Sequence, residues 1–199
     1  MELRTNHERM DVPRQFGDFH KTAIGRATAE DEPRLFKLHY VVGVDLIAMT
    51  VEYARHVAGL EGANTTEIDA ETPHPVIDVL PEQKEKIARK DYGGSMRLGA
   101  YPCELASGSI AQESYGTDSI SERHRHRYEV NPEYVDQLEK AGLVFSGRSP
   151  DGRLMEIAEL PREQHPFMVG TQFHPELRAR PLSPHPLFNA FIKAALERG

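Results

Sequence analysis

Phe167-Met168-Val169-Gly170-Thr171-Gln172-Phe173-His174-Pro175-Glu176 reads as a strand that delivers an imidazole and a carboxylate to its own C-terminal end. Residues Phe167–Phe173 have the apolar and β-branched content of a buried strand. His174 and Glu176 follow, two residues apart and able to point the same way. A carboxylate beside an imidazole fixes its tautomer and raises its basicity. That is the base-and-orienter half of a nucleophilic triad. The same spacing also describes an ordinary surface pair, and on these residues alone both readings stand.

Upstream, further strand patterns occur at Leu154–Leu160, Leu143–Phe145, Ile120–Val130, Met96–Ala106, Pro75–Leu80 and His39–Val44. Pro102 marks an edge or a bulge. A helix is expected over about Leu46–Ala58, with Met49, Tyr53 and Val57 four apart on one face and Gly59 ending it. A second begins at Asn131, a favoured N-cap followed by Pro132; its apolar stripe is Tyr134, Val135, Leu138 and Ala141, and Gly142 closes it. A third runs from about Pro186 to Arg198, with a wide apolar face from Leu187, Phe188, Phe191, Ile192, Ala195 and Leu196. Residues 60–75 read as a loop, and Lys84–Lys90 as a charged surface segment. Residues 1–35 are polar and weakly periodic. Strands and helices in mixed order predict an α/β domain.

The chain has 199 residues, with 24 Lys and Arg against 31 Asp and Glu and a net charge of -7. That length suits one domain with a real core. The apolar stretches fall short of the roughly 18–20 residues a spanning helix needs, and the start shows no apolar leader. A soluble, cytoplasmic protein without membrane partners is the expectation. The acidic balance argues against nucleic-acid binding. A single cysteine excludes an intramolecular disulfide and a cysteine-cluster metal site.

Glu122-Arg123-His124-Arg125-His126-Arg127-Tyr128-Glu129-Val130 is less ordinary. As one strand it places Arg123, Arg125 and Arg127 on one face and His124 and His126 on the other. The arginine face could grip a carboxylate or phosphate. A charged strand paired with acidic neighbours is the bland alternative. Two histidines without a third ligand are poor evidence for a metal. Cys103 sits inside a strand pattern, where a buried structural thiol is the usual outcome, rather than at the positive, partly exposed position a catalytic thiol needs.

Several segments resemble the glutamine amidotransferase domain of the CTP synthase family. They are Gly94–Cys103 (Gly94-Ser95-Met96-Arg97-Leu98-Gly99-Ala100-Tyr101-Pro102-Cys103), Ser121–Asn131 with its Arg-His run, Gln172–Glu176, Gly59–Glu67, His74–Asp78 and His185–Phe188. The match is near-continuous from about Val51 onward, and the Arg-His run separates this family from other class I amidotransferases. The resemblance implies an α/β, class I amidotransferase-like (flavodoxin-like) sheet flanked by helices, occupying residues 39–199. Residues 1–38 would carry the remnant of an oxyanion loop, with the N-terminal part of the fold incomplete. It also implies a chemistry: a Cys attacks the side-chain amide of glutamine, a His activates it and a Glu orients the His. Ammonia then passes to a synthetase domain that aminates UTP using ATP. His174 and Glu176 fall on the family's His and Glu, and Glu67 and Arg127 on residues that hold glutamine.

The early chain departs from the family's pattern. Where the nucleophile turn reads Gly-Ile-Cys-Leu-Gly-Met-Gln, this sequence has Gly43-Val44-Asp45-Leu46-Ile47-Ala48-Met49-Thr50, so Asp45 occupies the nucleophile position. The glycines of the oxyanion loop are replaced by Arg14 and Gln15, whose side chains can block a close backbone approach. No glycine-rich phosphate loop with Lys appears. ATP and magnesium would therefore belong to a synthetase domain outside this chain, which itself is expected to need no cofactor or metal. The leading expectation is a CTP synthase-type amidotransferase domain deficient in glutaminase activity. L-glutamine is a weak ligand at best, and a synthetase domain or full-length synthase is the candidate partner. A non-catalytic regulatory module and a degenerate gene fragment are the alternatives.

Overall fold

The computed structural model describes residues 45–79 and 96–197. The strand expected at His39–Val44, the segment Lys84–Lys90 and residues 1–38 with Arg14 and Gln15 lie outside the described residues.

Helix α1, Leu46–His56, begins where Asp45 caps it: Oδ1 accepts from the Ile47 N–H at 3.0 Å. Leu46, Met49, Tyr53 and Ala54 recur at helical spacing and are buried. Val57, expected on this face, lies beyond the last turn and is 41% exposed. The Tyr53 hydroxyl donates to the Ala141 carbonyl at 2.8 Å, tying α1 to a later helix.

The chain then lays down β1 (Asn64–Thr65), β2 (Pro75–Val79), β3 (Arg97–Leu105), α2 (Ile110–Tyr115), β4 (Ser119–His126) and β5 (Tyr128–Val130). Next come α3 (Pro132–Lys140), β6 (Val144–Arg148), β7 (Met155–Glu159), β8 (Val169–Thr171), a single 3₁₀ turn at Pro175–Leu177, and α4 (Pro186–Glu197). Five strands pair antiparallel in the order β4-β3-β6-β7-β8. A smaller sheet has the order β1-β2-β5, with β1 parallel and β5 antiparallel to β2. Asp45 adds a lone parallel bridge to Thr171, which sets the start of α1 beside β8.

The single strand expected over Ile120–Val130 is broken. Arg127 is a bend: β4 before it pairs with β3, and β5 after it pairs with β2. Arg123 and Arg125 keep the predicted exposed face, but the bend removes Arg127 from it. Pro102 sits opposite Ser121 of β4, while β6 reaches only Glu104 and Leu105, so the missing N–H falls on a stretch with an open side among the described residues.

Helix α2 was not expected, although its signals are present. Ser109 Oγ caps the Gln112 N–H at 3.0 Å, and Gly116 closes the helix at φ 68°. Buried Glu159 of β7 completes the start, with Oε1 accepting from the Ile110 N–H at 2.8 Å and Oε2 from the Ser146 hydroxyl at 2.8 Å.

Two apolar cores lie on either side of the main sheet. Leu46, Met49, Tyr53, Ile77, Leu138, Leu143 and Ala158 build one, under α1 and α3. Cys103, Ile110, Ile157, Phe167, Phe173, Leu187 and Phe191 build the other, under α2 and α4. Each fully buried Leu or Ile contributes roughly 1.5–3 kcal/mol. A Cβ on Gly147 would lie 2.6 Å from Ile157 Cγ1 and 2.9 Å from Cys103 Sγ, so the strands approach this closely only with glycine there. The apolar face of α4 is narrower than expected: Leu187 and Phe191 are buried, while Ile192 and Leu196 are exposed. His185, just before α4, is structural. It is buried, its Nε2 lies 3.0 Å from Glu122 Oε1, and its Nδ1 accepts from the Leu187 N–H at 3.3 Å.

Candidate functional site

A cleft of about 460 Å³ opens at the end of β8. Asp45, Arg125, His126, Gln172, His174 and Glu176 are among its polar lining, and Phe167, Leu187, Phe188 and Phe191 among its apolar lining. The His174 backbone N–H donates to the Arg123 carbonyl at 3.0 Å, which anchors the segment after β8 to β4. Pro175 then starts the 3₁₀ turn and brings Glu176 Oε1 to 2.8 Å from His174 Nδ1. The pair meets across this turn, because β8 ends at Thr171 and not at Phe173 as expected. With Nδ1–H donating to Glu176, the lone pair of Nε2 is left to act as a base. Both side chains face solvent, at 42% and 60% exposure.

Asp45 stands at the N-cap of α1 and lines the same cleft. Its residue retains exposed surface, yet the surrounding protein strips enough water from the carboxyl to hold it above the ordinary carboxylate value. The Ile47 N–H and the charge of His174 oppose that shift. An electrostatic effect of His174 on Asp45 places the two in one field. Asp45, His174 and Glu176, the three positions the sequence singled out, therefore line one cleft.

Glu67 and Arg127 do not line the cleft. Arg127 forms the bend immediately after His126, which does, and its Nε is buried without a hydrogen-bond acceptor among the described residues. Glu67 is exposed in the turn after β1, where its N–H donates to Thr65 Oγ1 at 3.2 Å.

A buried polar network runs from the cleft wall, where His126 and Gln172 line it, into the interior. Arg97 donates to Glu156 at 2.7 Å and to Glu129 at 3.2 Å. His124 Nδ1 and His126 Nε2 lie 2.8 Å apart, and Gln172, the residue just after β8, reaches His126. Burial pushes Glu129 up to about 8, against the pull of Arg97. Desolvation and then Arg97 drive both histidines down to about 3. The alternation of His124 and His126 was legible; the carboxylates facing them come from β5 and β7 and were not.

The glutamine amidotransferase class-I family model matches residues 46–194. The chain belongs to that family. It is 60% identical over 153 residues to the CTP synthase of Saccharopolyspora erythraea, covering 76% of this chain and 27% of that protein. Similarity to the CTP synthase of Shouchella clausii runs over 196 residues at 47% identity, covering 98% of this chain and 35% of that one. The structure of the Trypanosoma brucei CTPS glutaminase domain with bound acivicin superposes at a TM-score of 0.68 with 32% identity, covering 77% of this chain and 58% of that one. Within the class I amidotransferases the chain is thus of the CTP synthase amidotransferase-domain type, with the α/β fold that family shares. It spans about a quarter to a third of the length of the curated relatives it matches.

In this amidotransferase domain Cys103 lies away from the cleft. It is fully buried in the core under α2 and α4 and does not line the cleft. Burial and then the charge of Glu156 push its thiol up to about 12, so almost no thiolate exists at neutral pH. Among the described residues no group of three or more His, Cys, Asp or Glu is placed to hold a metal ion. No helix among them is long and apolar enough to cross a membrane.

Proposed function

We propose that this amidotransferase domain binds glutamine weakly and does not hydrolyse it. The observation that carries the reading is Asp45, which occupies the nucleophile position in the cleft that holds the His174–Glu176 pair. Hydrolysis through a covalent intermediate requires the attacking group to stay on the acyl carbon while ammonia leaves. A carboxylate oxygen that attacks the amide carbon gives a tetrahedral adduct whose best leaving group is that same carboxylate. The adduct therefore collapses back to the amide, and no ammonia is released. Loss of a catalytic nucleophile costs up to about 10⁶ in rate.

Binding is a separate matter. The buried Nε of Arg127, without an acceptor among the described residues, would be satisfied by the α-carboxylate of an amino acid admitted at the bend beside the cleft. Glu67 would take the α-ammonium. In this reading the domain serves a CTP synthase-type partner by occupancy, not by supplying ammonia, and the partner is a synthetase domain or a full-length synthase. A coupled ammonium assay with saturating glutamine tests the first half; turnover above the buffer rate that disappears in Cys103→Ser would overturn it. Ligand-observed NMR tests the second half, with a millimolar Kd (about 4 kcal/mol) expected. Binding that survives Arg127→Ala would refute the assignment of the carboxylate site.

A further inference from the structure

Gln172 lies between the base-bearing segment and the Arg127 bend. It is 4% exposed, and its backbone N–H donates to the Glu156 carbonyl at 2.8 Å, which fixes its main chain on β7. Its side-chain nitrogen lies 2.7 Å from the Tyr128 carbonyl, 2.9 Å from His126 Nδ1 and 3.4 Å from Glu129 Oε2. The first contact settles the amide orientation, because a backbone carbonyl only accepts and the group facing it must be the NH₂. An NH₂ has two hydrogens. The two shortest contacts take them, one on the residue before Arg127 and one on the residue after it.

We propose that Gln172 is a positioning residue that clamps the Arg127 bend from both sides and sets it relative to His174, two residues further along the same segment. The proposal rests on the reading of Arg127 as the carboxylate anchor. His126 Nδ1 faces the Gln172 NH₂ at 2.9 Å and Glu129 Oε1 at the longer 3.4 Å; accepting from the closer donor puts its proton on Nε2, which donates to His124 Nδ1 at 2.8 Å. The relay runs one way, from Gln172 through His126 to His124, with both rings neutral. Desolvation of both rings favours that state. The second link between the same segments is the His174 N–H on the Arg123 carbonyl at 3.0 Å. The base and the bend are thus registered against β4 at two points, one of them made by a side chain.

The test uses the full ¹⁵N-labelled chain. Imidazole nitrogen spectra report the His126 tautomer, and amide exchange reports the bend. The wild type is expected to show Nε2–H with an accepting Nδ1 from neutral pH to about 5. Gln172→Met keeps the length of the side chain and removes the donor. It is expected to shift the His126 Nδ1 resonance and to speed amide exchange at 127–129 about tenfold, with exchange across α3 unchanged. A protonated Nδ1 on His126 in the wild type would overturn the clamp without any variant, even if Gln172→Met fails to fold. An unchanged His126 signature in a folded Gln172→Met chain, or exchange sped evenly over the domain, would overturn it as well. Glutamine titration keeps the two readings apart: Gln172→Met is expected to weaken binding severalfold. A wild type that shows the His126 signature but no glutamine shifts defeats the glutamine reading alone.

Discussion

At the open cleft, Asp45 and Glu176 stand in the field of one imidazole, His174; behind it, Glu129 and Glu156 share one guanidinium, Arg97. Both clusters set two carboxyls around one basic side chain, the second with His124 and His126 beside it, and they differ in exposure to water. The His174–Glu176 pair is solvent-facing, so its charges are screened and free to meet a ligand. Glu129 and Glu156 are 1% and 0% exposed, so each charge there depends on its hydrogen-bonded partner. The open cluster carries the site and contributes little to stability. The sealed one ties together β3, β5 and β7, three strands that do not pair with one another, across the two sheets.

Removing the cation of the sealed cluster tests this contrast hardest. Arg97→Leu leaves two buried carboxyls without their donor and is expected to cost about 3–5 kcal/mol, read from urea unfolding. A loss under about 1 kcal/mol would show that the network is not sealed.

The pH dependence of stability is the next largest effect. His124 and His126 fall from 6.5 to about 3 on folding, so the folded state binds fewer protons than the unfolded state, and stability rises with pH between those values. Glu129 rises from 4.5 to about 8, so the folded state holds an extra proton and stability falls as pH climbs through that window. Burial also raises Glu156 and Glu159, which act in the same sense as Glu129, so the histidines set the acid limb, the buried carboxyls set the decline above 6.5, and the maximum falls between 4.5 and 6.5. Glu129→Gln should make the decline above pH 6.5 shallower and the slope between 4.5 and 6.5 more positive. A maximum above pH 8 would contradict the assignment.

Smaller effects belong to the open side. Arg127→Ala removes a charge-assisted contact of roughly 1.5–3 kcal/mol to a ligand carboxylate, so glutamine affinity should fall at least about tenfold with stability nearly unchanged. Glu176→Gln, on a solvent-facing pair, should change stability by less than about 1 kcal/mol. A larger loss would mean that this pair is part of the scaffold.

The α1, α3 and α4 helices were legible because caps and apolar periodicity are local signals: Asn131 accepts from the Glu133 N–H, and Pro132 opens α3. The break at Arg127 was not, because the pattern from Ser119 to Val130 carries no Gly or Pro; two different sheets compete for its halves. Helix α2 was missed although Ser109, Gln112 and Gly116 spelled it, since six residues show too little periodicity to stand out. His174 and Glu176 could be found by their spacing, but their contact depends on a 3₁₀ turn set by Pro175. Arg97, Glu129, Glu156 and Gln172 lie far apart in sequence, and only strand pairing brings them together.

The central claim is that position 45 holds the nucleophile slot and that Asp45 empties it of chemistry. An electrophilic glutamine analogue, incubated with the wild-type chain and with Asp45→Cys and followed by intact mass and peptide mapping, tests it most directly. The account predicts no adduct on the wild type and a single adduct at residue 45 of Asp45→Cys. An adduct on the wild type, at Cys103 or at Asp45, would contradict it.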